Sequence, residues 1–212
     1  MNSRKSATAL PLAAAALTGT VALYIALVAF GNITDFDTNQ QFVRHVLSMD
    51  TTFKDEDLMW RAITSRSLQD AAYLAIIAWE TVAAVVLIAA TVLWGLGVRR
   101  GPGGVALARR VTTVGLVMVL LLFGAGFIAI GGEWFAMWQS EDWNGLDAAT
   151  RNFTVAGIVL VVVQLAGGSV SGPVSGSPSG SVSSSVGGSA SGSAGAQVDS
   201  PAGGPAEGPA AE

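Results

Sequence analysis

Four apolar runs constrain this chain more than any other feature, because a helix needs roughly 20 apolar residues to cross about 30 Å of hydrocarbon. Ala9 to Phe30 meets that length with no charge inside it. Ala71 to Leu96 meets it too, while carrying one acid, Glu80. Val111 to Gly131 is uncharged and rich in Leu and Val, with Gly115, Gly124 and Gly126. The fourth run, Phe153 to Ala166, covers only about 21 Å at the helical rise, so it reaches full length by starting at Asp147. That start places Asp147 and Arg151 one turn apart on the same face at the boundary. The expected fold class is therefore all-α, a four-helix transmembrane bundle over residues 1–166 with spans at about 9–30, 71–96, 111–131 and 147–166.

Composition agrees once the chain is divided. Its 51% hydrophobic and 12% charged residues exclude an ordinary soluble domain, in which about a quarter of residues are charged. From Gly167 onward the chain is mostly Gly, Ser, Ala and Pro, with no Lys or Arg, and such a segment buries too little apolar surface to offset its ordering entropy. Residues 167–212 are thus expected to be a disordered tail. The absence of cysteine removes disulfides, thiolate metal sites and cysteine nucleophiles. A net charge of -4, most of it from Asp199, Glu207 and Glu212 in the tail, points to no nucleic-acid partner.

The first run follows Arg4 and Lys5, as a signal peptide would, but exceeds the 7 to 15 apolar residues typical of one. A retained helix is expected. Orientation then follows from Lys and Arg, which collect in cytoplasmic loops. Arg99, Arg100, Arg109 and Arg110 crowd the short connection between spans two and three, whereas the connection between spans three and four has only Arg151 against Glu133, Glu141, Asp142 and Asp147, and the first loop mixes Arg44, Lys54, Arg61 and Arg66 with seven acids and votes for neither side. The chain is expected in the cytoplasmic membrane, with both termini on the cytoplasmic side.

The long outer loop, residues 31 to 70, carries its own pattern. Thr38 and Gln41 have the form of a capping box, and Phe42, Val46 and Met49 follow at helical spacing. Thr38 to Met49 is expected to form a short amphipathic helix on the outer surface or folded over the bundle. Ser67 and Asp70 resemble a second helix cap at the start of span two. Trp60, Trp134, Trp138 and Trp143 map to the outer face, Trp94 to the inner end of span two and Trp79 inside the membrane. Interfacial anchoring explains most of them, with an aromatic cage at the outer mouth as the sharper alternative.

These polar and aromatic strings resemble a known family. NITDFDTNQQFVRHVLSMD at 32–50, WRAITS at 60–65, IIAWE at 76–80 and GGEWFAMWQS at 131–140 are together similar to the predicted small integral membrane protein family, number 2165 among domains of unknown function. The likeness covers roughly residues 10 to 166. It implies a bacterial four-span membrane protein and supplies no activity. The Ser/Gly tail and the early end of the fourth span depart from the family pattern.

Candidate chemistry centres on Glu80, about ten residues into its apolar run and so placed near the midplane by length alone. An ionised carboxyl at that depth is expensive and is by default a functional hypothesis. No basic residue occurs inside any span, which leaves Thr18, Thr20 or a water as partners, and an interhelical hydrogen bond as the plain structural role. Glu133, after Gly131 and Gly132, is expected to cap or to pair with Arg44, Arg61 or Arg151. Asp35, Asp37 and Asp50 lack the spacing of any known metal loop. His45 stands alone, which excludes multi-histidine zinc and bis-histidine haem sites within one chain.

Glu80, Glu133, Trp134, Trp138, Asp35 and Asp37 are therefore the candidate functional residues, with no catalytic, cofactor or metal set assigned. The expected partners are the lipid bilayer and another membrane protein or a second copy of the chain. The expected function is non-enzymatic, accessory or scaffolding. The alternative is a small transporter or channel with a proton- or cation-linked role for Glu80.

Overall fold

The structure, a computed structural model, describes residues 2–168, with side chains over 9–166. Four long apolar helices form a bundle, and a fifth, shorter helix folds across one end. Helix α1 runs Asn2–Thr34, α2 Phe36–Ser48 and α3 Arg66–Arg100. Helix α4, Pro102–Leu120, continues without a break into a π-helical segment, Leu121–Trp134, and α5 runs Leu146–Gly168. Ala9–Thr34, Arg66–Arg100, Pro102–Trp134 and Leu146–Ala166 are each long and apolar enough to cross a membrane. Gly167 and Gly168 close the last helix, and the rest of the expected tail lies outside the described residues.

The end of the bundle carrying the α3–α4 connection is tightly closed. The expected arginine-bearing loop is instead a single residue, since α3 persists to Arg100 and α4 begins at Pro102. Gly101 makes the reversal at φ +82°, and Pro102 supplies a preset helical φ where no amide donor is needed. Gly97 and Gly104 then bring the two backbones so close that a Cβ on Gly97 would sit 2.8 Å from Gly104 carbonyl atoms. Higher up, Gly115 seats the Leu87 side chain and Gly124 seats the Phe153 ring. Small residues at helix contacts are how spans pack when water supplies no drive between them.

Trp94 corrects its expected place at the interface. It is 0% exposed, and its indole donates to Thr112 Oγ1 at 2.9 Å, joining α3 to α4 in the core. A buried indole N–H needs such an acceptor, and Thr112 also donates to the Ala108 carbonyl at 2.9 Å. Trp79, on the lipid-facing side, donates to the Met118 carbonyl at 2.9 Å just before the π-helical segment begins. The same carbonyl also accepts from the Leu121 N–H where the helical register changes, so the indole adds a second donor there.

The opposite end carries a folded cap. Helix α2 starts at Phe36, two residues before the expected capping box, because α1 runs on to Thr34 and only Asp35 separates the helices. Thr38 therefore lies inside α2 and donates to Asp35 Oδ1 at 2.8 Å. The expected cap at Ser67 and Asp70 does not form either. Ser65 precedes the helix, and Asp70 Oδ1 accepts from Arg44 Nε at 3.0 Å, Arg44 Nη2 at 2.8 Å and Gln40 Nε2 at 2.9 Å. One carboxylate oxygen thus straps α2 onto α3.

Met49, Phe135 and Ala136 form a small second core beneath this strap, with Val46, Leu58 and Ile63 packed on it. The loop before α3 and the loop after α4 are pinned together by a Thr51–Ser140 hydroxyl contact of 2.8 Å and by Phe53 N donating to Gln139 Oε1 at 3.0 Å.

Candidate functional site

Glu80 sits under the cap rather than at mid-bundle. It is 1% exposed, and its Oε2 accepts from Asn32 Nδ2 at 2.6 Å, so its partner is an amide near the end of α1 and not Thr18 or Thr20. Those two threonines donate to the Ala14 and Ala16 carbonyls of their own helix. The sequence-based depth measured Glu80 from Ala71, but α3 begins at Arg66 and spans about 52 Å, far more than the hydrocarbon. Counted from Arg100 at the closed end, Glu80 is about 30 Å along the helix, which is the full hydrocarbon thickness.

Three elements hold this position. Asn32 is tied down twice, since its carbonyl accepts from the Tyr73 hydroxyl at 2.8 Å while its amide reaches Glu80. Phe36 packs edge-on to Tyr73 with ring centres 4.8 Å apart, fixing the α1–α2 corner against α3. From α5, Asn152 accepts from the Tyr24 hydroxyl at 2.7 Å, linking α5 to α1 at the same level. Together these groups border a chamber of about 290 Å³, with Asn39 of α2 above, Phe123 and Phe127 on one wall, and Arg151 on α5.

The chamber's two charged groups are not paired with each other. Glu80 Oε1 makes no hydrogen bond among the described residues, and the close contacts there between an acid and a basic side chain are Arg44–Asp70 and the His45–Asp50 hydrogen bond. Arg151 and Asp147, expected on one face, form no ion pair. A buried carboxylate with an open oxygen and a free guanidinium at one chamber can receive a ligand carrying both a donor cation and an anion.

Two further hollows adjoin it. An apolar crevice of about 190 Å³ between α1 and α5 shares Tyr24, Arg151 and Asn152 with the chamber and runs on past Val21, Ile25, Val155 and Ala156. An apolar groove of about 310 Å³ lies between α3 and the π-helical segment, and Phe42, Val43, Ile76 and Phe127 wall it from the chamber.

The remaining candidates lie elsewhere. Trp134 and Trp138 are about half exposed on the cap. Arg61 lies over Trp134 with its guanidinium carbon 4.9 Å from the ring centre, and Trp60 meets Trp134 edge to face at 5.6 Å. Phe53 meets Trp138 in the same manner at 5.9 Å. Glu133 is exposed and takes none of its expected partners, because Arg44 is committed to Asp70 and Arg61 to the two indoles. Asp35 marks the α1–α2 junction and Asp37 lies exposed in the first turn of α2. Among the described residues, no group of three or more His, Asp or Glu side chains is placed to hold a metal ion. His45 stacks on Trp143 at 4.5 Å and pairs with Asp50 at 2.9 Å, a packing role in the cap.

Glu80 is thus legible in the sequence as a charge inside an apolar run, whereas Asn32, Tyr73, Tyr24 and Asn152 around it are not. The available signal was the few uncharged polar residues within or just beyond apolar runs, since each must find a partner when buried.

The family model described as a predicted small integral membrane protein (DUF2165) matches residues 10–166, and the chain belongs to that family. No curated protein and no solved structure matches the chain.

Proposed function

We propose that this member of the predicted small integral membrane protein family acts without catalysis, as an accessory or scaffolding protein that engages another membrane protein through its cap. The supporting observation is a firmly braced cap that presents aromatic side chains to the outside. Trp60 is 70% exposed, Phe53 72% and Trp138 50%, yet the loops carrying Phe53 and Trp138 are hydrogen-bonded to each other, and the segment after Trp60 is tied to α3 by Gln69 donating to the Ile63 carbonyl. Exposed Trp held on rigid backbone costs little entropy to bury and is enriched at binding hot spots. The arginines at the closed end support a reading with that end in the cytoplasm and the cap outside, by the asymmetry that governs short loops.

The test is purification of the full chain in mild detergent beside a Trp60→Ala, Trp134→Ala, Trp138→Ala variant. A membrane protein that accompanies the parent and is lost from the variant, with the fold unchanged, supports the proposal. A parent chain that purifies as a clean monomer contradicts it.

Transport linked to Glu80 is the second reading, supported by the buried carboxylate bordering a chamber. Against it stands the closed end, where Trp94, Ala108 and Val163 are fully buried in the apolar core and the buried Thr112 hydroxyl is committed to Trp94 and the Ala108 carbonyl. Proton or cation flux in proteoliposomes that Glu80→Gln abolishes is expected on this second reading alone.

A further inference from the structure

We infer that the chamber beneath the cap binds the headgroup of an aminophospholipid, with its ammonium on Glu80, its phosphate on Arg151 and an acyl chain in the crevice between α1 and α5. Depth is the first reason. With Arg100 taken at the opposite boundary, Glu80, about 30 Å along α3, falls at the edge of the hydrocarbon, where headgroups sit. Asn32 near the end of α1 and Arg151 in the second turn of α5 share that level. The crevice runs in the opposite direction from the cap: Val21 and Ile25 on α1, with Val155 and Ala156 on α5, carry it toward the bilayer interior. A polar chamber at headgroup level opening into an apolar slot at acyl level has the polarity profile of a phospholipid.

Charge is the second reason. Glu80 is almost fully buried and yet keeps one carboxylate oxygen without a protein partner, while Arg151 has no acidic partner among the described residues. A primary ammonium offers three N–H donors to an open carboxylate oxygen. A guanidinium matches phosphate oxygens with paired donors. Phe123, Phe127 and Tyr24 along the chamber add ring faces that favour a cation. Rings alone would accept a quaternary ammonium equally well, but that group has no N–H to give to Glu80. The open oxygen is what selects the primary amine. The volume, about 290 Å³, is at the small end of ligand sites and suits a headgroup rather than a whole lipid.

The test reconstitutes the full chain in vesicles with equal parts phosphatidylethanolamine, phosphatidylcholine and phosphatidylglycerol, re-extracts it gently and identifies retained lipid by native mass spectrometry. Phosphatidylethanolamine should be retained over the other two by about tenfold, the scale of one charge-assisted hydrogen bond. Glu80→Gln should bring its ratio to phosphatidylcholine close to one, and Ala156→Phe, which fills the crevice, should reduce retention of all three. Arg151→Gln, at an exposed position, should also lower retention of all three, and it decides the matter if Glu80→Gln does not fold. Equal retention of the three lipids by the parent overturns the inference, as does preference unchanged in both charge variants. Displacement by millimolar phosphoethanolamine together with indifference to Ala156→Phe would overturn the lipid and assign the site to a free ammonium phosphate compound.

Discussion

The two ends of the bundle solve the same packing problem with opposite means. At the closed end, glycines bring α3 and α4 into backbone contact and a single indole–hydroxyl bond is sealed in an apolar core. At the cap end, polar side chains from four elements span the gaps, and hollows remain between them. Close backbone contact leaves little room between α3 and α4. Hydrogen bonds that hold helices apart leave room, and they do so at the level where lipid headgroups and aqueous partners arrive. The difference leaves the cap end as the part of the bundle held by polar ties instead of close packing.

That contrast is broken most easily at the closed end. Trp94→Ala removes the largest fully buried side chain and leaves Thr112 without its donor, so a loss of about 3–5 kcal/mol is expected in detergent-titration unfolding. A loss below about 1 kcal/mol would mean that the closed end is not tightly packed. Gly97→Val comes next, because its Cβ would meet Gly104 backbone atoms at 2.8 Å that belong to a rigid helix. Overpacking of this kind costs about 1–3 kcal/mol, and a neutral result in the same titration would show that α3 and α4 separate freely.

At the cap the effects should be smaller and local. Asp70→Asn weakens the Arg44 and Gln40 ties and should cost about 1 kcal/mol, the pair being part exposed. Its signature is faster amide exchange in α2 with no change in Trp94 burial by fluorescence. Global destabilisation equal to that of Trp94→Ala would erase the distinction between the ends. Trp138→Ala should move stability by less than about 0.5 kcal/mol, since the ring is half exposed, while still weakening partner recovery.

Much of the bundle was legible in the sequence because bilayer thickness fixes how long an apolar run must be, and the four spanning helices follow from that. The outer helix was equally visible in the spacing of Phe42, Val46 and Met49. What periodicity could not supply was where the polar residues go. Asn32 lies 48 positions from Glu80, just outside its apolar run, and only the turn at Asp35 and the docking of α2 bring it there. Trp94 looked interfacial because it stands near the basic end of α3, whereas Thr112 across the hairpin gave it a buried partner. Asp70 looked like a cap because local sequence offered that use first, and Arg44 claimed it from another helix. In each case a long-range partner won over a local one.

On the orientation proposed above, the chamber opens toward the cap, outside the cell, and is closed from the arginine-bearing end. The chain has no cysteine, so single cysteines can report access without background. Asn39→Cys and Ala148→Cys line the chamber, and Gly103→Cys marks the α3–α4 turn. With a membrane-impermeant maleimide on intact cells, the first two should label directly and the third only after permeabilisation. Labelling of Gly103→Cys from outside, with Asn39→Cys and Ala148→Cys protected until the membrane is opened, would contradict it.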